Sequence, residues 1–212
     1  MKNQIFSISV IKMSRMIKLS SYITEALPEI NNLQPWNITS QSEAIISSLL
    51  NKLPSEFTMR NGNAIHQAAI VEKGAILKSP CIIGSGCFIA AYSYLRGGVW
   101  LDENVIIGPS CEVKSSFIHG GSKAAHFNFI GDSVIGRNVN IEAGAIIANY
   151  RNELDDKEII CLVGGRPTKV GVQKFGSLIG DNTKIGANAV LAPGTIIQPK
   201  TIVKRLELVD QS

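Results

Sequence analysis

The sequence has few aromatic and few charged residues, and these shortages limit what the chain can be. Only 6% of the 212 residues are aromatic and 18% are charged, whereas 45% are hydrophobic. A core must therefore be built from Ile, Val, Leu and Ala rather than from rings. No apolar run reaches the ~18 residues that a membrane-spanning helix needs, so no membrane span is expected.

The chain also lacks a run of basic residues, although its formal net charge is +4. Nucleic-acid-binding surfaces usually carry a basic stripe with interleaved aromatic residues, so the sequence predicts no nucleic-acid partner. The short apolar stretch at 5–11 is followed by Lys12, Arg15 and Lys18 without a small-residue cleavage site. Because a secretory signal peptide needs such a site, we expect a cytoplasmic protein.

The cysteines form no CxxC pair, which argues against a zinc ribbon. They are Cys81, Cys87, Cys111 and Cys161. Three of them occupy small-residue positions of the repeat described below, so we expect reduced, buried and structural thiols. A metal site built from three histidines is disfavoured, because His66 lies several repeats away from His119 and His126. No metal is predicted.

Aliphatic residues recur every six positions over most of the chain. They run from Ile65 to Val113 without a break in register, continue from Ile118 after a five-residue step, and resume at Ile179 after an interruption. Turn-forming segments such as IGSGCF and IGPSCE lie between them. Neither an α-helix nor an alternating strand has a six-residue period. The pattern predicts an all-β fold, a parallel β-helix whose coils of ~18 residues stack about 4.8 Å apart.

Two segments lie outside this repeat. Residues 1–62 contain a possible capping box at Ser40 and Glu43, followed by an apolar stripe with helical spacing that stops at Pro54. We expect a small helical N-terminal cap on the open end of the solenoid. The β-helix domain is then assigned to residues 63–207, and its inserted loop, 151–173, is predicted to project as a loop or hairpin.

Two cations are separated by one predicted coil, which makes them candidates for a binding site. Arg96 and Lys114 are 18 residues apart, and each follows an inward aliphatic residue. Stacking would place them on one edge, where a guanidinium and an ammonium suit a phosphate group. Two solvated surface cations would show the same spacing.

His126 lies in the segment GGSKAAHFNFIGD, where the regular six-residue landmark fails. The segment suggests a slipped frame and a specially shaped loop. A neutral imidazole with a pKa near neutrality is a common general base for an amine or a hydroxyl. A histidine that merely fills a turn is the structural alternative.

Residues 94–150, YLRGGVWLDENVIIGPSCEVKSSFIHGGSKAAHFNFIGDSVIGRNVNIEAGAIIANY, resemble a known family. They are similar to the acetyltransferase domain of bifunctional N-acetylglucosamine-1-phosphate uridyltransferase/glucosamine-1-phosphate acetyltransferases, within the hexapeptide-repeat acyltransferase superfamily. The stretch QKFGSLIGDNTKIGANAVLAPGTII is closer to the archaeal sugar-1-phosphate nucleotidyltransferase/acetyltransferases. The resemblance implies a left-handed β-helix and a homotrimer with active sites between subunits.

The resemblance also implies roles for individual residues. His126 falls on the catalytic base and Glu112 on an acid that orients or polarises the site. The positions implied to bind substrate are Arg96, Lys114, Phe129, Asn140 and Lys174, and those implied to bind the cofactor are Ala143, Asn149, Tyr150 and Ala187. Phe129 replaces the family's tyrosine, and the lost hydrogen bond would cost ~1 kcal/mol. We also expect a shortened coenzyme site, because the chain stops soon after the repeat.

The leading hypothesis is acetyl transfer from acetyl-CoA to the amine of a hexosamine 1-phosphate or a related amino sugar. Acetyl-CoA would be the acyl donor, and no metal would be required. Two alternatives stay open. One is a different acyltransferase, which uses a nucleotide-linked sugar or an acyl carrier protein. The other is a non-catalytic β-helix that trimerises or regulates a sugar nucleotidyltransferase.

Overall fold

The computed structural model describes residues 16–211 and shows a parallel β-helix with three faces. The first face contains β1 Phe57–Arg60, β2 Asn63–His66, β5 Cys81–Ile83, β8 Val99–Leu101, β11 Phe117–Ile118, β14 Val134–Ile135, β19 Ser177–Ile179 and β22 Thr195–Ile197. The second contains β3 Ile70–Val71, β6 Phe88–Ile89, β9 Ile106–Ile107, β12 Lys123–Ala124, β15 Asn140–Ile141, β20 Lys184–Ile185 and β23 Ile202–Val203. The third contains β4 Ile76–Leu77, β7 Tyr94–Arg96, β10 Glu112–Lys114, β13 Phe129–Gly131, β16 Ile146–Ile147, β21 Val190–Leu191 and β24 Leu208–Val209.

The predicted six-residue landmarks form the interior of this β-helix. Leu95, Val113 and Ile130 are directly paired on the third face, and all three are fully buried. Corresponding aliphatic residues of the other two faces join them in one continuous core. The six-residue pattern therefore predicts the interior correctly, because one residue of each short strand points inward at every level.

The repeat does not slip at the segment that contains His126. Ala124 is 2% exposed and pairs with Ile107 and Ile141, so alanine fills the inward position of that coil. The predicted frame slip is wrong. The shortened steps occur instead where the third face turns to the first, and Ser115 and Asp132 have positive φ values of 47° and 42° there.

The N-terminal helices cover the first face. They comprise two 3-10 helices, Leu19–Ser21 and Pro28–Ile30, and two α-helices, α1 Pro35–Ser40 and α2 Ser42–Leu50. Their apolar side chains pack on the outward row of the first face, which includes Ile82, Trp100, Phe117 and Val134. The prediction that these helices cover the open end of the solenoid is wrong. They pack on the first face instead, because its outward row is the apolar surface that they bury.

The predicted capping box at Ser40 is also wrong. Ser40 ends α1, and Gln41 occupies the N-cap of α2 without a side-chain hydrogen bond. The Ser42 hydroxyl instead donates to the Gly97 carbonyl over 2.7 Å, which ties α2 to the β-helix. A side chain at position 98 would lie 2.7 Å from the Glu43 amide nitrogen, so Gly98 permits this close contact.

The insert forms an antiparallel hairpin of β17 Ile160–Val163 and β18 Arg166–Lys169. The insert was predicted to be a projecting loop or hairpin, and it is a hairpin. It does not project freely, because Ile159, Cys161 and Val163 are buried in the apolar layer on the first face. Arg151, at the start of the insert, forms an ion pair of 2.7 Å with Asp210.

All four cysteines are free and buried, as predicted. Burial raises the pKa of Cys81 and Cys161 to about 12 and that of Cys87 to about 11. Neutral thiols are poor nucleophiles, so these side chains serve packing. The apolar stretch at 5–11 lies outside the described residues, and no helix within residues 16–211 is long and apolar enough to cross a membrane.

Candidate functional site

The two candidate cations lie side by side on the third face. Lys114 pairs with Arg96 in the register of β7 and β10, as their 18-residue spacing predicts. Glu112 occupies the same strand and pairs with Tyr94 and Phe129 on its two sides. The face therefore presents charged and aromatic side chains on adjacent coils.

Each of these cations already has a carboxylate partner in its own chain. The Arg96 guanidinium lies 2.7 Å from Glu112, and the Lys114 ammonium lies 2.6 Å from Asp132. The first pair is about one-third exposed, whereas the Asp132 side chain is only 6% exposed. Asp132 was missed at the sequence level, although its position 18 residues after Lys114 is a usable signal.

Asp132 also connects Lys114 to Asn149. The Asn149 side-chain amide donates a hydrogen bond to the Asp132 carboxylate. Gly131 lies between them, and a Cβ there would come within 2.7 Å of Asn149 Cγ and 2.8 Å of Phe129 Cε1. The missing side chain thus allows Asn149 and Phe129 to approach the same point of the third face.

A groove of about 800 Å³ opens where the third face turns to the first. Asp132, Ser115 and the exposed Lys174 line it, together with the segment 39–44 at the junction of α1 and α2. Within residues 16–211, no carboxylate pairs with Lys174. Lys174 is therefore an uncompensated cation close to the network of Lys114 and Asn149.

His126 lies at the opposite edge of the third face, where the second face turns to it. Its imidazole is exposed, and none of the described residues forms a hydrogen bond with the ring. Its carbonyl accepts from the Gly144 amide, and the Ala143 carbonyl accepts from the Asn188 amide one coil further on. His126, Ala143 and Ala187 consequently follow one another along this corner.

The surroundings of Ala187 are charged. Its amide donates to Glu142 over 2.9 Å, and the same carboxylate accepts two hydrogen bonds of 2.8 Å from Arg205. The Arg205 hydrogen bonds, followed by that from Ala187, hold the pKa of Glu142 below its usual value. A ligand that uses the Ala187 amide would have to replace Glu142.

The remaining candidates are not gathered at one point. Asn140 is exposed on the second face and pairs with Lys123 and Lys184. Tyr150 lies beyond Asn149, with the Lys157 ammonium 5.4 Å from its ring centroid. One chain thus brings Arg96 to Glu112, and both Lys114 and Asn149 to Asp132. It leaves His126, Asn140 and Tyr150 on separate edges.

The three histidines lie apart from one another in a single chain. His119 is buried beneath the N-terminal layer, where its Nδ1 contacts the Ile135 carbonyl at 2.7 Å and its Nε2 accepts from the Leu27 amide. Burial lowers the pKa of His119. Among residues 16–211, no group of three histidine, cysteine, aspartate or glutamate side chains is arranged to hold a metal ion.

Comparison with known proteins agrees with this architecture. Residues 80–115 match the bacterial transferase hexapeptide (six repeats) family, which fits a left-handed β-helix. The bifunctional protein GlmU of Methanococcus maripaludis is 35% identical over 182 residues, which cover 83% of this chain and 43% of that protein. The bifunctional sugar-1-phosphate nucleotidylyltransferase/acetyltransferase of Sulfurisphaera tokodaii is 39% identical over 166 residues, or 76% of this chain and 41% of that protein.

A bacterial relative matches a shorter part. The bifunctional protein GlmU of Prochlorococcus marinus is 39% identical over 103 residues, or 49% of this chain and 19% of that protein. The chain therefore spans about two fifths of the length of the archaeal relatives that it matches. It is a left-handed β-helix protein with transferase hexapeptide repeats, and it resembles the bifunctional sugar-1-phosphate nucleotidylyltransferase/acetyltransferases.

Proposed function

We propose that this protein transfers an acetyl group from acetyl-CoA to the amine of a hexosamine 1-phosphate or a closely related amino sugar. The observation that carries the proposal is the pairing of Arg96 with Lys114 on the face that His126 borders. The name of the Sulfurisphaera tokodaii relative, which includes sugar-1-phosphate and acetyltransferase, supports the same chemistry.

In this mechanism, His126 accepts the proton that the amine loses as its nitrogen attacks the thioester carbonyl. The carbon–sulfur bond then breaks, and the proton held by His126 passes to the departing sulfur of coenzyme A. The exposed imidazole of His126 is free of hydrogen bonds from residues 16–211, so its nitrogens can face an incoming amine. The backbone near Ala143 would donate to the developing oxyanion.

Arg96 and Lys114 would bind the acceptor phosphate, and Asn140 would orient the sugar. The two cations are each paired with a carboxylate, Arg96 with Glu112 and Lys114 with Asp132. The net charge of these four side chains is therefore zero. Additional positive charge would come from Lys174. A phosphate held in this way relies on directed hydrogen bonds as much as on net charge.

A second copy of the chain would complete the site, in keeping with a homotrimer. The outward row of the third face is apolar except at Glu112, which lies between Tyr94 and Phe129. The other members in register are Ile76, Ile146 and Val190. The matching row on the first face is buried under the chain's own helices. A neighbouring β-helix would cover the third-face row and enclose His126, which one chain leaves exposed.

The second candidate function is a non-catalytic β-helix that assembles with a sugar nucleotidyltransferase. The internal pairing of both cations and the phenyl ring of Phe129 favour it, because each removes a contact that a sugar phosphate would use. A scaffold would keep its trimer and lose nothing when His126 is replaced.

The two candidates are separated by thiol release from acetyl-CoA in the presence of glucosamine 1-phosphate, galactosamine 1-phosphate or a nucleotide-linked amino sugar. Sugar-dependent release identifies an acetyltransferase and ranks its acceptors. A folded trimer that releases no thiol with any of the three would support the scaffold.

A further inference from the structure

Asp132 is bonded to two residues that the resemblance assigns to opposite ends of the site. Its Oδ1 and Oδ2 atoms lie 2.8 Å and 2.6 Å from the Lys114 ammonium. Oδ2 also accepts from the Asn149 side-chain amide. Lys114 belongs to the proposed acceptor contacts and Asn149 to the proposed coenzyme contacts.

The local backbone is built to hold this carboxylate in place. Asp132 adopts a positive φ of 42°, a conformation that aspartate tolerates better than most residues. Its amide donates to the Lys114 carbonyl over 2.8 Å, and its carbonyl accepts from the Gly176 amide over 2.9 Å. The residue itself is 5% exposed. Both its backbone and its side chain are therefore fixed.

Lys114 keeps hydrogen-bonding capacity after it pairs with Asp132. An ammonium group has three donors, and the two Asp132 oxygens do not require all of them. Gly131, which directly precedes Asp132, leaves room for Asn149, because a Cβ there would lie 2.7 Å from Asn149 Cγ. Asp132, which holds both side chains, lines the groove that also contains Lys174.

We infer that Asp132 is a positioning residue that links the acceptor contacts of the site to its coenzyme contacts. This inference rests on the proposed function. Asp132 touches neither substrate; it sets the positions of Lys114 and Asn149 relative to each other. Binding of the acceptor phosphate and of acetyl-CoA both depend on it.

The test compares Asp132→Asn, Asn149→Ala and the double variant in full steady-state kinetics. Asp132→Asn is expected to raise KM about tenfold for both acceptor and acetyl-CoA, the change that loss of one hydrogen bond to a charged group produces. Asn149→Ala is expected to raise KM for acetyl-CoA alone. In the double variant, the KM for acetyl-CoA should rise by less than the product of the two single effects, because Asp132 acts on that KM through Asn149.

Asp181→Asn is the matched control. Asp181 also follows a glycine, is also 5% exposed, and accepts hydrogen bonds from Thr24 and Arg137 at the opposite side of the first face. The Asp181→Asn substitution should lower thermal stability without changing the KM for the acceptor or for acetyl-CoA. If Asp132→Asn lowers stability equally and leaves both KM values unchanged, the positioning role is overturned while the acetyltransferase stands.

Failure of the proposed function gives a different result. If the wild-type protein releases no thiol, calorimetric titration with glucosamine 1-phosphate and with acetyl-CoA replaces kinetics. Weaker binding of both by Asp132→Asn, but not by Asp181→Asn, supports the positioning role. Absence of binding by the wild-type protein, or equal binding by Asp132→Asn, overturns it. If Asp132→Asn does not fold, Asp132→Ser takes its place in the same comparison, and the same two outcomes decide.

Discussion

Lys114 and Asp132 form an ion pair of 2.6 Å across adjacent coils, and most of both side chains is buried. Arg96 and Glu112 form a pair of similar length, 2.7 Å, that is about one-third exposed. The two pairs share one face, but their surroundings differ. Their contributions to stability should therefore differ as well.

Replacement of Lys114 by methionine leaves the buried Asp132 carboxylate without its cation. Breaking a buried pair in this way typically costs about 3–5 kcal/mol. Arg96→Met, the matched variant of the exposed pair, should cost less than about 1 kcal/mol. Urea unfolding of both variants measures the difference. Equal losses in the free energy of unfolding would contradict the claim that burial makes the Lys114–Asp132 pair the more important one.

The layer between the N-terminal helices and the first face should contribute strongly to stability. Phe117 is fully buried there, and its ring packs 6.3 Å from that of Trp100. Phe117→Ala is expected to lower the free energy of unfolding by about 3–5 kcal/mol. Phe127, which is 68% exposed, provides the control, and its replacement by alanine should leave the unfolding midpoint nearly unchanged.

His119 makes the attachment of this layer sensitive to acid. Burial lowers its pKa, and the neighbouring Arg137 acts in the same direction, whereas the Ile135 carbonyl, Asp102 and Asp181 oppose the shift. The unfolded chain then binds more protons than the folded one below its ordinary pKa of 6.5. The stability that neutral His119 provides is complete above that pH and is lost as the pH falls below it.

Fluorescence of the two tryptophans reports on this transition, since both Trp36 and Trp100 lie in the same layer. The thermal unfolding midpoint of the wild-type protein should be lower at pH 5 than at pH 7. His119→Gln should be less stable at pH 7 and should lose less between the two pH values. An identical pH dependence in the two proteins would show that His119 is not responsible.

Assembly should depend on the apolar row of the third face. Ile146 is flanked in this row by Phe129 and Val190. A carboxylate at its centre would be costly to bury against a second copy, so Ile146→Asp should convert the proposed trimer to monomers in light scattering. Met59, 54% exposed on β1, is the control position, and Met59→Asp should remain trimeric. A wild-type monomer would remove the proposed inter-subunit site.

The six-residue period predicted the interior because every coil repeats the same requirement for an inward aliphatic residue. Ala124 escaped notice because alanine fills that position without resembling its neighbours. The place of the N-terminal helices had a signal that the period alone does not reveal. On the first face, the residue before the inward one is large and apolar, as at Ile82, Trp100 and Phe117.

The candidate site was less accessible from sequence. The spacing of Arg96 and Lys114 predicted their contact, since one coil separates them. The 18-residue step from Lys114 to Asp132 was a usable signal for the second ion pair. The first pair had no such signal, because Arg96 and Glu112 are not partners in the strand register. The position of His126 on a different edge from Asn149 follows from how the coils close.

Sugar-dependent thiol release by the wild-type protein and by His126→Ala tests the central claim most directly. His66→Ala serves as the control, because His66 lies on β2, and its ring accepts a hydrogen bond from the Ala68 amide far from the third-face site. We predict that release from acetyl-CoA with glucosamine 1-phosphate falls by about 10²-fold or more in His126→Ala and is unchanged in His66→Ala. Full release by His126→Ala would contradict the assignment of His126 as the base.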